Sequence, residues 1–158
     1  MSRRGNIKIR LTQPDPIYKN RLVTKLVNRA MHDGKKSVAE KEVYGAFLII
    51  KEKVGDPVKV FTDALDNIKP SMEVRPRRVG GAAYQVPAVV RGPRKESLAI
   101  RWLITAAGAK SNSEFHTFAE KLASEIIDAA KGEGTAVKKR QEMEKIAEAN
   151  RAFAHFRW

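Results

Sequence analysis

The chain contains no cysteine, so disulfide bonds and zinc–thiolate centres are excluded, and a reducing, cytosolic compartment is the natural expectation. It has only three histidines, His32, His116 and His155, far apart and without the short spacings that hold a metal ion. None stands with a serine or aspartate in a recognisable triad spacing, and no metal, cofactor or catalytic residue is expected. Aromatic residues are few, at 7%. No apolar run approaches the ~20 residues needed to span a bilayer. The basic start of the chain is not followed by a signal-peptide hydrophobic stretch, because Pro14-Asp15-Pro16 intervenes. There are no internal repeats and no low-complexity tract. Acidic residues are also scarce: 18 Asp and Glu stand against 31 Lys and Arg, a net charge of +13 in 158 residues. Such an excess opposes compaction and points to a polyanionic partner. Yet 42% of the residues are hydrophobic, enough to bury a core, so the chain is no disordered basic tail.

The charge is not spread evenly. Residues 1–40 hold 10 basic and 3 acidic side chains, and residues 75–101 hold 7 and 1. The remaining residues hold 14 of each sign, so two blocks carry the whole net charge. That is the pattern of a binding footprint on a self-supporting scaffold.

Periodicity divides the chain into an arm, six helices, a ribbon and a tail within one domain, residues 1–158. Residues 1–17 read as a basic arm with two prolines. A first helix is expected from about Asn20 to Met31, with Leu22, Val23, Leu26, Val27 and Ala30 inward, Lys25 and Arg29 on another face, and Gly34 as its cap. Ser37-Val38-Ala39-Glu40 reads as a capping box opening a second helix, with Val43, Phe47, Ile50 and Val54 inward and Gly55 at its end. Asp56-Pro57 starts a third, with Val58, Phe61, Ala64, Leu65 and Ile68 inward and Pro70 closing it. Met72–Val79 and Ala82–Val90 then form a β-hairpin turning at Gly80-Gly81, its prolines tolerated because a two-stranded ribbon has edges on both sides. After Gly92-Pro93 comes a fourth helix, with Leu98, Ala99, Trp102, Leu103 and Ala106 inward and Arg94, Lys95 and Arg101 on its basic side. Ser111 or Ser113 would cap a fifth, with Phe115, Phe118, Ala119, Leu122, Ile126 and Ile127 inward. Thr135 would cap a sixth, about Ala136 to Ala149. Residues 150–158 form an aperiodic tail of mixed aromatics and cations, better suited to lying along protein or RNA than to packing on the core.

The ribbon is the sharpest constellation. Arg75, Arg77 and Arg78 offer guanidinium forks for phosphates, with no carboxylate between Arg75 and Val90. Alternation puts Arg75 and Arg77 on one face and Arg78 on the other. Gly80 and Gly81 allow close backbone approach, Tyr84 can stack on a base or sugar, and Gln85 can hydrogen-bond one. No Gly-rich loop with a following Lys-Ser/Thr opens a helix, so a nucleotide-hydrolysing loop is unsupported. The arm residues Arg3, Arg4, Lys8 and Arg10, with Lys35 and Lys36, make a second footprint. Lys138, Lys139 and Arg140 stand near a helix start, where the macrodipole disfavours cations. Either a partner's phosphate relieves that conflict or the chain tolerates a small penalty.

Several collinear stretches carry a resemblance. Arg78-Val79-Gly80-Gly81 with Tyr84-Gln85-Val86-Pro87, Leu98-Ala99-Ile100-Arg101-Trp102, Gly134-Thr135-Ala136-Val137-Lys138-Lys139-Arg140 and Ala149-Asn150-Arg151-Ala152-Phe153-Ala154-His155 resemble the bacterial form of the seventh small-subunit ribosomal protein family. Asp15-Pro16 and Asp33-Gly34-Lys35-Lys36-Ser37 fit it too. The resemblance implies a mainly α bundle of six helices with a protruding ribbon. It implies a structural protein, not an enzyme, that is a primary binder of the 3′ major domain of 16S rRNA. It would nucleate assembly of the subunit head, without a membrane and without need of self-association. It also implies a place near exit-site tRNA and mRNA, beside the ninth, eleventh and thirteenth proteins of that subunit. By the same resemblance, Arg3, Arg4, Lys8, Arg10, Lys35, Lys36, Arg75, Arg77, Arg78, Arg91, Arg94, Lys95, Arg101, Lys138, Lys139 and Arg140 look like rRNA contacts, and the helix-face cations Lys25 and Arg29 join them. Gly80, Gly81, Tyr84 and Gln85 look closer to the tRNA and mRNA. The loop Gly108–Glu114 departs from the family's usual basic character, leaving Lys110 as its one candidate contact. The runner-up reading is a DNA-binding, nucleoid-type protein.

Overall fold

The computed structural model describes residues 11–156; the expected arm contacts Arg3, Arg4, Lys8 and Arg10 lie outside them. Among the described residues, the chain folds as α1 (Arg21–Ala30), α2 (Lys36–Lys53), α3 (Pro57–Ile68), β1 (Met72–Val79), β2 (Ala82–Val89), α4 (Gly92–Ala109), α5 (Phe118–Ala130) and α6 (Thr135–Ala149), ending in a short 3-10 helix (Arg151–Phe156). This is the mainly α, single-domain bundle with one ribbon that the sequence suggests.

The core is the sum of the apolar stripes. Val23, Leu26 and Val27 of α1, Val43, Phe47 and Ile50 of α2, and Phe61, Leu65 and Ile68 of α3 meet Leu103 of α4 and Leu122 and Ile126 of α5. Helix α5 packs on α2, α3 and α4 at once and is the central post. Trp102 lies half-buried against this cluster, as its helical spacing suggests. Val54 departs from the expected stripe: it is the C-cap after Lys53, off the helical repeat, and is exposed.

Several caps differ from expectation. Helix α1 ends at Ala30 with Met31 as its extended cap, and Gly34 serves the following turn at φ +75°. Ser37 does not cap α2; that helix starts one residue earlier, after Lys35, with no side-chain cap. Asp56 does cap α3, accepting from the Val58 and Lys59 amides, with Pro57 at the first turn. Neither Ser111 nor Ser113 caps α5. Thr117 does, in a reciprocal capping box with Glu120, so Phe115 stays in the preceding loop. Nor is Thr135 a cap: it is the first residue of α6, and Gly134 precedes it.

What satisfies the start of α6 comes from another helix. The buried Oε1 of Glu125 on α5 accepts from the Ala136 amide at 2.9 Å. Lys110 balances that carboxylate, its Nζ 3.2 Å from Oε2 in an ion-pair contact, and also reaches Asp128 at 2.9 Å and Ser124 at 2.8 Å. This internal anion answers the dipole conflict posed by Lys138, Lys139 and Arg140. It also explains the glycine: Gly134 has φ +91°, and a Cβ there would lie 2.9 Å from Glu125 Oε1. Gly134→Ala is therefore expected to destabilise the fold by about 1–3 kcal/mol, read from chemical denaturation. An unchanged midpoint would show that α6 re-docks freely.

The first described residues pack on the bundle. Asp15 is buried, accepting from the Ile17 and Tyr18 amides and from the Tyr44 hydroxyl at 2.7 Å. Burial, then the bond to the Asp15 carboxylate, pushes the Tyr44 hydroxyl far above its usual range. One aspartate thus ties the start of the described chain to α2.

Candidate nucleic-acid interface

The ribbon is a two-stranded antiparallel ladder in the register Met72↔Val89 through Val79↔Ala82. Gly80 and Gly81, at φ +58° and +89°, make its turn, a conformation that only glycine adopts cheaply at both positions. Pro76 faces Gln85 and Pro87 faces Val74, which suits strands with free outer edges. At the base of the ribbon Val86, Pro87 and Val90 are buried; the outer half is exposed except for Val79 and Tyr84.

Where the ribbon meets the start of α4, a cleft of about 750 Å³ opens. Arg75 and Arg77 line it from β1, Arg91 and Arg94 from the start of α4, with Val86, Ala88, Val89 and Pro93 as apolar walls. Arg78 does not line it, as the strand alternation requires. The carboxylate that two of these arginines share, Glu73, is 3% exposed. The Nε of Arg75 and the Nε of Arg94 each donate to it at 2.6 Å. Both guanidinium side chains remain about half exposed, at 55% and 52%. Glu73 therefore does two things: it ties β1 to α4, and it fixes two forks at the rim of the cleft. Four guanidinium groups thus gather around this cleft, with Glu73 held beneath two of them. Arg91 precedes α4 without a side-chain cap, and no acidic residue stands in the first turn, so the helix dipole adds to their field.

Burial pushes the Glu73 carboxyl up, but the hydrogen bonds and charges of Arg94 and Arg75 outweigh it and hold it below the ordinary carboxylate value. Glu144 is lowered in the same way. Burial opposes ionisation there, and the Ser71 hydroxyl and amide, with the charges of Arg140 and Lys95, more than offset it. A carboxyl with a depressed folded pKa contributes stability that is complete above its unfolded value of about 4.3 and is lost as pH falls through the folded value. Unfolding by urea is expected to need less denaturant at pH 3 than at pH 7, and Glu73→Gln should narrow that difference. An equal pH response in the variant would mean that Glu73 takes no part in it.

The other predicted contacts occupy varied settings. Lys25 pairs with Glu96 across α1 and α4, beside a concavity lined by Thr12, Asn28, Arg29, Pro93 and Ser97. Arg29 is exposed on the same face, while Lys36 makes an i,i+4 pair with Glu40 and Lys35 is exposed beside it. Arg101 is exposed along α4, and Lys95 is half-buried. Lys139 pairs with Glu142 at 3.0 Å and Arg140 with Glu144 at 3.8 Å, while Lys138 is exposed. Lys110 is set apart from all of these. At 17% exposed and held by Glu125 and Asp128, it serves the core of the bundle. Gly80, Gly81 and Gln85 are exposed on the ribbon, and Tyr84 is half-buried. Its ring lies 5.3 Å from Phe153 and 5.2 Å from Phe156. The described part of the tail, Arg151–Phe156, thus lies along the ribbon of its own chain and outside the hydrophobic core.

Sequence reasoning missed Glu73 and Glu125. Glu73 carried one signal, a lone carboxylate beside an arginine run in a strand; Glu125 carried none, because its partners come from residues 110 and 136.

The comparisons agree with the motifs. The family model described as "Ribosomal protein S7p/S5e" matches residues 2–151. The protein called small ribosomal subunit protein uS7 of Thermodesulfovibrio yellowstonii is 58% identical over 159 residues, covering 100% of both chains. Its namesake from Carboxydothermus hydrogenoformans is 57% identical over the same span, and that of Thermotoga neapolitana is 55% identical over 99% of each chain. With the family model matched over nearly its whole length and relatives aligned end to end, the chain belongs to the S7p/S5e family of ribosomal proteins.

Proposed function

We propose that this chain is a structural constituent of the small ribosomal subunit that binds the 3′ major domain of 16S rRNA and nucleates assembly of the subunit head. The observation that carries the reading is the arginine cleft: Arg75, Arg77, Arg91 and Arg94 converge from two elements, and the buried Glu73 carboxylate holds two of them. Guanidinium forks held in this way grip phosphates bidentately, and a rigid rim reads the spacing of a folded backbone rather than bases. Arg78, on the opposite ribbon face, and Lys25, Arg29, Lys35, Lys36, Lys95, Arg101, Lys138, Lys139 and Arg140 extend the contact over the bundle. Arg3, Arg4, Lys8 and Arg10 would extend it further. Recognition is of A-form shape, through phosphates and 2′-hydroxyls. The ribbon tip, Gly80, Gly81 and Gln85, points the same reading toward exit-site tRNA and mRNA. The ninth, eleventh and thirteenth proteins of the subunit would be its neighbours.

The test is binding of the purified chain to a 16S 3′-domain RNA, against a scrambled RNA and a DNA duplex of equal length, across a salt series. A large preference for the rRNA, kept at high salt, supports the reading. Equal binding to all three, with the steep salt dependence of pure phosphate contact, overturns it. Preference for the duplex would favour a nucleoid-type role.

A further inference from the structure

Among the described residues, the outer half of the ribbon is largely exposed. Residues 75–78, 80–83 and 85 are exposed, and a two-stranded hairpin is marginal in water by itself. The base is tied down by Glu73 to Arg94 and by Ser71 to Glu144 of α6. Beyond that base, Tyr84 is a half-buried aromatic side chain, and it faces the tail. The tail is shaped to meet it. Asn150 ends α6, its side chain donating to the Ile146 carbonyl at 2.8 Å, and its carbonyl accepts from the Phe153 amide at 3.0 Å. The chain thereby turns back along β2 as a 3-10 helix. That helix presents Phe153 and Phe156 as near-parallel rings 6.5 Å apart and 13° from coplanar, and Tyr84 packs against both. His155 lies 4.0 Å from Phe156 and backs the cluster. None of these rings belongs to the hydrophobic core.

We propose that the C-terminal 3-10 helix is an aromatic brace that sets the stiffness of the ribbon through Tyr84. Three features support it. The contact lies in the outer half of the ribbon, where Tyr84 meets two aromatic rings at once. It joins two segments that are each weak alone, six residues of 3-10 helix and a bare hairpin, so each orders the other. And it lies outside the core, so it can open without unfolding the bundle. A ribbon held straight before binding loses less freedom on meeting any ligand. Anything that takes Phe153 and Phe156 for itself would, by the same coupling, loosen the ribbon. The brace belongs to the free chain and stands whether or not the ribbon meets RNA.

The experiment is amide hydrogen exchange on the full chain, without RNA, comparing the native sequence with Phe153→Ala/Phe156→Ala. Two aromatic pairs of ordinary strength predict that ladder amides between residues 77 and 84 exchange roughly tenfold faster. Amides of α2, α3 and α5 should keep their rates. Tyr84→Ala alone should give the same acceleration, and adding it to the double variant should give no more, because all three changes break one contact. Phe153→Tyr/Phe156→Tyr, which keeps both rings, should exchange like the native chain. Unchanged ribbon rates in the Ala variant overturn the brace. So does equal acceleration of the bundle, which would make the tail part of global stability, and so does an additive effect of Tyr84→Ala.

Discussion

Replacing Glu125 by alanine is expected to lower the free energy of unfolding by about 3–5 kcal/mol, the usual loss when one partner of a buried ion pair is removed. Two defects arise together. The Ala136 amide at the start of α6 loses its acceptor, and Lys110, mostly buried, loses the carboxylate 3.2 Å away. Asp128 still faces that ammonium at 2.9 Å, which places the loss toward the lower end. Glu125→Gln keeps an acceptor for Ala136 and should lose less. Lys110→Met in the Glu125→Ala background should recover part of the loss, because the unpaired buried charge is then gone. Urea denaturation at pH 7 measures all three. A Glu125→Ala variant as stable as the native chain would show that α6 is held by its apolar face, Ala136, Val137 and Ala147, and not by its cap.

The second large effect falls on RNA binding. Arg78→Ala/Arg91→Ala removes two guanidinium groups, neither of which holds Glu73. Hydrogen bonds to charged groups contribute about 1.5–3 kcal/mol each, so the pair should weaken affinity for the 16S fragment by roughly 10²–10⁴. The slope of log affinity against log salt should fall by about two, one for each phosphate no longer neutralised. Thermal melting should not move. Arg75→Ala/Arg94→Ala should behave differently: affinity falls, and the melting temperature falls with it, because Glu73 is left buried without its partners. If Arg78→Ala/Arg91→Ala lost stability in parallel with affinity, those arginines would be supports of the fold and not RNA ligands.

Much of the scaffold was legible before any coordinates. The Leu26–Val27, Phe47–Ile50 and Leu65–Ile68 spacings define helices because burial on a 3.6-residue period leaves few alternatives. Asp56-Pro57 opens α3 as read, since an N-cap and a first-turn proline act within four residues. The hairpin was legible to within one residue for the same reason: Gly80-Gly81 admits both positive φ values and few other pairs do. The misreadings were also local in kind. Ser37, Ser111, Ser113 and Thr135 all look like caps, but α2 starts without a side-chain cap, α5 opens at the Thr117–Glu120 box, and α6 is met by Glu125 of α5.

Sequence by itself determined the class of partner and the ribbon's chemistry. Charge is additive and does not depend on fold, and strand alternation alone separates Arg75 and Arg77 from Arg78. The tertiary structure decided which cations face outward together and which are consumed inside. It brought Arg91 and Arg94 of α4 beside the ribbon over a buried Glu73, turned Lys110 inward to Glu125, and laid Phe153 and Phe156 on Tyr84. Each of these joins residues 15 to 72 positions apart in the chain. Such pairings are set by how amphipathic faces stack in three dimensions, and no periodicity along the chain encodes them.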